Sequence, residues 1–134
     1  MTAIGLAAVK LSTANEQMAM NSQLNNVAFQ AAESGIQTWI NNYQVRSEPF
    51  SGEGTIAGGG SGVVPKYDVR SLPRVCTDQP SSLNAAGDSG TPQMICFDIT
   101  SNGKACTGDD CDVSANDGNA RAMHVQGYRA RINL

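Results

Sequence analysis

Residues 24–43 read LNNVAFQAAESGIQTWINNY, and the reading of this stretch decides the fold. At 100° per residue, Leu24, Val27, Ala28, Ala31, Ala32, Gly35, Ile36, Trp39 and Tyr43 fall within roughly half a turn of a helical wheel. Gln23, Asn26, Gln30, Glu33, Gln37 and Asn41 crowd the other half. Thr38 and Asn42 intrude on the apolar arc, and Phe29 and Ile40 sit on its margins. This is a two-sided helix whose core face is carried by Leu24, Val27, Ala28, Ala31, Gly35 and Trp39. Gly35, in the middle of that face, marks a place where another backbone comes close.

Upstream, residues 2–45 contain no proline, so the helix is expected to run back almost to Met1 over about 40 residues, or roughly 60 Å. Its first half is different in kind. Leu11, Met18 and Met20 scatter around the wheel among Thr13, Asn15, Glu16, Gln17 and Asn21, and no wide apolar stripe emerges. A lone helix is marginal in water, so this half needs other molecules to pack against. Residues 1–9, MTAIGLAAV, are apolar but span less than half a bilayer's hydrocarbon core before Lys10 interrupts. They read as the tail of a hydrophobic helix whose beginning lies upstream. The expected organisation is a protruding helix half at residues 1–23 and a globular domain at 24–134.

Downstream, residues 47–65 are glycine-rich with Pro49 and Pro65, and read as a connector from helix to sheet, the αβ-loop of about 46–66. Residues 67–76 (YDVRSLPRVC) give one or two short strands with a kink or edge at Pro73. Residues 94–100 (MICFDIT) alternate, with Ile95, Phe97 and Ile99 on one side. Residues 77–92 and 101–119 read as loops. Residues 120–134 (ARAMHVQGYRARINL) form the longest strand, in which Met123 and Val125 share one parity and Tyr128, Ala130, Ile132 and Leu134 the other. A bulge at Gly127 would turn both sets to one core and leave His124 on the opposite face. A single helix followed by three or four strands supplies no crossover helices. The fold class is therefore α+β, a long N-terminal helix on one face of an antiparallel sheet, with the sheet and cysteine loops in residues 67–134.

Composition narrows the function. Lys and Arg total nine against twelve Asp and Glu, net charge -3, with no basic run, so no direct nucleic-acid contact is expected. Four cysteines lie between Cys76 and Cys111, with no CxxC knuckle for zinc, and point to two disulfides and an oxidising compartment. Three connectivities are open. The preferred one closes a short loop by Cys106–Cys111 and ties neighbouring strands by Cys76–Cys96. Catalysis is poorly supplied: one histidine, His124, no nucleophile elbow, and no free thiol once the disulfides form. Around 109–117, Asp110, Asp112, Ser114 and Asn116 fall at alternate positions as calcium ligands do, but the glycine is displaced and no glutamate closes the loop. A calcium-dependent secreted binding module is the alternative reading of the chain; otherwise no cofactor is expected.

Residues 2–37, TAIGLAAVKLSTANEQMAMNSQLNNVAFQAAESGIQ, resemble the N-terminal region of PilX-type minor pilins of bacterial type IV pili. There an apolar membrane helix runs into a Thr/Glu/Met/Asn segment and then an A-x-Q-A-A-E motif. The matching positions are Glu16, Met18, Asn21, Ala28, Gln30, Ala31, Ala32 and Glu33. The closing HVQGYRARINL is also similar to ends in that family. The family's leader, its peptidase site, its methylated N-terminus and the glutamate that follows would lie upstream of Met1, so no processing residue carries over. The resemblance implies a structural subunit and not an enzyme. It would start in the inner membrane and periplasm and end in the extracellular pilus near the tip. Its partners would be other minor pilins, the major pilin and a tip adhesin, in support of adhesion, twitching motility or DNA uptake.

Overall fold

The apolar arc of residues 24–43 lies on a sheet. The computed structural model describes residues 2–42, 49–60, 62–76, 93–108 and 110–132. They form one helix, α1 (Thr2–Asn42), and four strands, β1 (Phe50–Thr55), β2 (Val64–Arg74), β3 (Gln93–Cys106) and β4 (Arg121–Ile132). The strands make one antiparallel sheet in the order β1-β2-β3-β4, so each strand pairs with the next in sequence. This is the α+β layering that the single helix required. Tyr43, Asp109, Leu134 and the loop 77–92 lie outside the described residues.

Among the described residues only the C-terminal half of α1 is covered. Ala28, Ala31, Ala32, Gly35, Ile36 and Trp39 are buried, while Leu24 and Val27 are half-buried at the margin. Phe97 and Ile99 from β3 and Val69 from β2 meet Ile36 and Trp39 to form the core. Trp39 packs at 5.5 Å from the Phe97 ring and 5.3 Å from Tyr128, and its indole N–H donates to Ser71 Oγ at 2.9 Å. A buried indole needs such a partner, and the serine of β2 supplies it.

Two glycines set how the layers meet. A Cβ on Gly103 would run into the Ala28 carbonyl and the Ala32 backbone, and one on Gly35 into the Ser101 hydroxyl and the Tyr67 ring. Here β3 lies directly on the helix backbone, which explains why the facing helix residues are alanines.

The structure corrects the sequence reading in four places. Residues 101–106 are not loop: β3 continues through Asn102 and Gly103, paired to β2 on one side and β4 on the other. Their Asn-Gly step resembles a turn, but the glycine is there for close approach. Residues 47–65 are not wholly connector, because β1 lies inside them. Its Gly52 and Gly54 face the helix side, and a side chain at Gly54 would collide with the Tyr67 ring. An edge strand needs only one ladder, so weak strand formers suffice. Pro65 and Pro73 of β2 fall just beyond the span that β1 pairs, Lys66 to Ser71, where the missing N–H costs no ladder bond on that side.

Third, Gly127 carries no bulge. The register runs unbroken from Gln93↔Ile132 to Lys104↔Arg121. Met123 and Val125 therefore stay on the outer face, 66% and 65% exposed, and only the even-numbered set faces the helix. Fourth, and by the same parity, His124 lies on the helix side with Tyr128 and Ala130, not opposite to them. The apolar outer residues do not turn inward because the core is already filled.

Gly103→Ala should lower the unfolding free energy by about 1–3 kcal/mol through overpacking. Gly127→Ala, whose Cβ would meet nothing within 4 Å, should change it by less than about 0.5 kcal/mol. Urea titrations followed by Trp39 fluorescence check both.

Candidate functional site

Three places combine chemistry with exposure. The first is the N-terminal half of α1. Val9, Leu11, Met18 and Met20 are 61–68% exposed, and the only charges between residues 7 and 23 are Lys10 and Glu16. Thr13 folds its hydroxyl back onto the Val9 and Lys10 carbonyls, at 3.1 and 3.0 Å, and so adds no outward polarity. This is a rod of small, apolar and uncharged polar side chains that no strand of the sheet covers. Among the described residues no helix is long and apolar enough to cross a membrane.

The second is the junction of α1 with β4. His124 Nδ1 stands 2.8 Å from Glu33 Oε2, and Phe29 meets the imidazole edge-on at 4.3 Å between ring centres. Glu33, the last residue of the A-x-Q-A-A-E segment, thus ties the helix to the edge of the sheet. Ser101 is the register partner of His124, so serine, histidine and glutamate stand in neighbouring positions. They do not make a hydrolytic centre. The Ser101 hydroxyl is fully buried against Gly35 and has no hydrogen-bond partner, so no substrate carbonyl reaches it.

The third is the loop that follows β3. Cys106 is bonded to Cys111, and Cys76, two residues past the end of β2, to Cys96 in β3. The loop folds back over the outer face of the sheet, where Val113 is buried. Two cross-strand neighbours, Lys66 and Lys104, reach up into it. Lys66 Nζ donates to the Cys111 carbonyl at 3.0 Å. Lys104, fully buried, donates to the carbonyls of Asp112 and Ala115 at 2.6 and 2.7 Å and pairs with Asp117 Oδ1 at 2.7 Å. Those three bonds saturate the ammonium.

Of the four residues with calcium-like spacing, the structure brings two together. Asp112 Oδ1 accepts from the Ser114 N–H and hydroxyl, each at 2.8 Å, which holds its carboxyl below the usual range. Asp110 and Asn116 are exposed and apart from that turn's bonds. The loop's inward oxygens converge on the Lys104 ammonium instead. Among the described residues no three His, Cys, Asp or Glu side chains converge. Periodicity missed Lys104, since a lysine in an apparent loop reads as solvated; the extension of β3 to Cys106 would have placed it on a covered face.

Residues 1–37 match the family model described as PilX N-terminal. That family is the N-terminal domain of type IV pilin minor subunits. No curated protein and no solved structure matches the chain.

The hydrogen bond from Lys104 holds Asp117 down from 3.8 to about 2. A depressed carboxylate stabilises the fold fully above its ordinary value, and that contribution fades as pH falls through the folded value. Thermal melts should therefore show a loss of stability between about pH 4 and pH 2 that is smaller in Asp117→Asn. Lys104→Met should lower the melting point more than Asp117→Asn does, because it strands two carbonyls and a carboxylate together.

Proposed function

With a PilX-type N-terminal segment as the premise, we propose that this chain is a minor pilin, a structural subunit of a type IV pilus that acts by protein–protein contact. The observation that carries the reading is the division of α1. One helix, 41 residues long, is half core and half bare. Residues 28–39 hold the sheet, whereas Val9, Leu11, Met18 and Met20 face outward without a partner among the described residues. Such a half-helix is marginal alone and gains apolar burial only in a bundle of like helices. The low-charge sheet domain, clipped by two disulfides, suits an oxidising extracellular setting.

On this reading the helix resides in the inner membrane before assembly and in the filament core afterwards. The partners are other minor pilins and the major pilin, and a place near the tip beside an adhesin fits a low-abundance subunit. Adhesion, twitching motility and DNA uptake are the functions such a position serves.

The test separates assembly from folding. Met18→Asp with Met20→Asp changes only exposed side chains and should leave the melting curve of the chain within about 0.5 kcal/mol of the parent. Expressed from its own locus in its own cells, the same variant should vanish from sheared pili on immunoblotting. Retention in pili at parental levels contradicts the reading.

A further inference from the structure

β4 closes one side of the sheet, and among the described residues no strand pairs with its outer side. Edge strands of natural sheets are guarded by being short, by proline, by a bulge or by charge. β1, on the opposite side, is six residues long. β4 runs for 12 residues with no proline and an unbroken register. Among the described residues its guard is charge: Arg121 and Arg129 occupy outer-face positions toward its two ends. Between them Met123 and Val125 are exposed on that face. On the helix side, Phe29 is 53% exposed beside His124. A strand laid along β4 would thus meet apolar surface on both of its faces at the centre and guanidinium groups toward its ends.

We propose that the open edge of β4 is a docking site for an extended segment of a partner protein, apolar at its centre and carboxylate-bearing at its flanks, which adds to the sheet as a further strand. Main-chain hydrogen bonds supply affinity in this mode and alternate side chains supply selection. The arginines decide against a second copy of the chain. Antiparallel self-pairing about Val125 sets Arg121 opposite Arg129. Like charges directly opposite one another destabilise a ladder, whereas carboxylates there stabilise it. The inference rests on the geometry of the sheet and stands or falls apart from the pilus reading.

The probe is a synthetic strand peptide with valine and threonine at its centre and glutamates at both ends, together with a copy in which lysines replace the glutamates. Amide hydrogen exchange is measured on the full chain with each. The acidic peptide should slow exchange at the β4 amides by about tenfold or more at saturation, and the lysine copy should not. Arg121→Glu alters an exposed side chain, so Trp39 fluorescence should report an unchanged melt while affinity for the acidic peptide falls by about tenfold. The proposal is overturned if the acidic peptide leaves β4 exchange unchanged, or if protection survives Arg121→Glu undiminished. It is equally overturned if a single-stranded DNA oligomer binds the same arginines more tightly than the peptide without protecting β4 amides. That result would make the edge a purely electrostatic surface.

Discussion

Where β3 crosses α1 there is no side chain between the two backbones. Gly103 lies on the Ala28 carbonyl and the Ala32 backbone, and one turn further along Gly35 lies on Ser101. Much of the molecule follows from that approach. It fixes the helix against the sheet at one end, so the larger side chains must fill the space at the other, where Ile36, Trp39, Phe97 and Tyr128 pack together. It also decides which way the neighbouring residues point. Because Gly103 faces the helix, Lys104 faces outward, into the loop that it holds. The close approach ends near Ala28; Leu24 and Val27 are half-buried at its margin, and from residue 23 back to residue 7 no described strand covers α1.

The outer face of the sheet is built on the same alternation. Lys66, Arg70 and Arg74 of β2, Lys104 of β3 and Arg121 and Arg129 of β4 all share its parity, six of the nine basic residues in the chain. Two lysines are taken up by the loop above them, and Arg70 and Arg74 pair with Asp68 and Asp98 at 3.1 and 2.8 Å. Net charge of the whole chain is therefore a poor guide to its surfaces. An acidic protein presents an arginine-bearing edge because strand parity sorts the charges.

The sequence made the helix, its two unlike halves and the inward set Ile95, Phe97 and Ile99 legible, because hydrophobic spacing is local. Gly35 was legible as a close contact for the same reason: it sits in the middle of an apolar arc. Gly103, with the same purpose, was not. Preceded by asparagine and followed by lysine, it has the letters of a turn, and only its helix partner distinguishes the two. β1 was hidden likewise, since Gly54 makes room for Tyr67 and Gly52 lies against Phe50, and neither marks flexibility. The mistaken bulge at Gly127 came from assuming that every apolar residue of β4 belongs to the core. Met123 and Val125 are outside, and their exposure carries the case for a docking edge. The bare helix half was visible from composition, whereas the Lys104–Asp117 pair depends on a strand end that composition does not reveal.

The central claim is that α1 is two structures in one helix, divided near Ala28 by the contact with β3. Residue-resolved amide hydrogen exchange on the isolated chain tests it most directly. Amides of residues 28–39 should exchange only through opening of the sheet contact, with protection close to that of β3. Residues 7–23 should exchange at least about a hundredfold faster, as an unsupported helix does. Uniform protection along the whole of α1 would contradict the account.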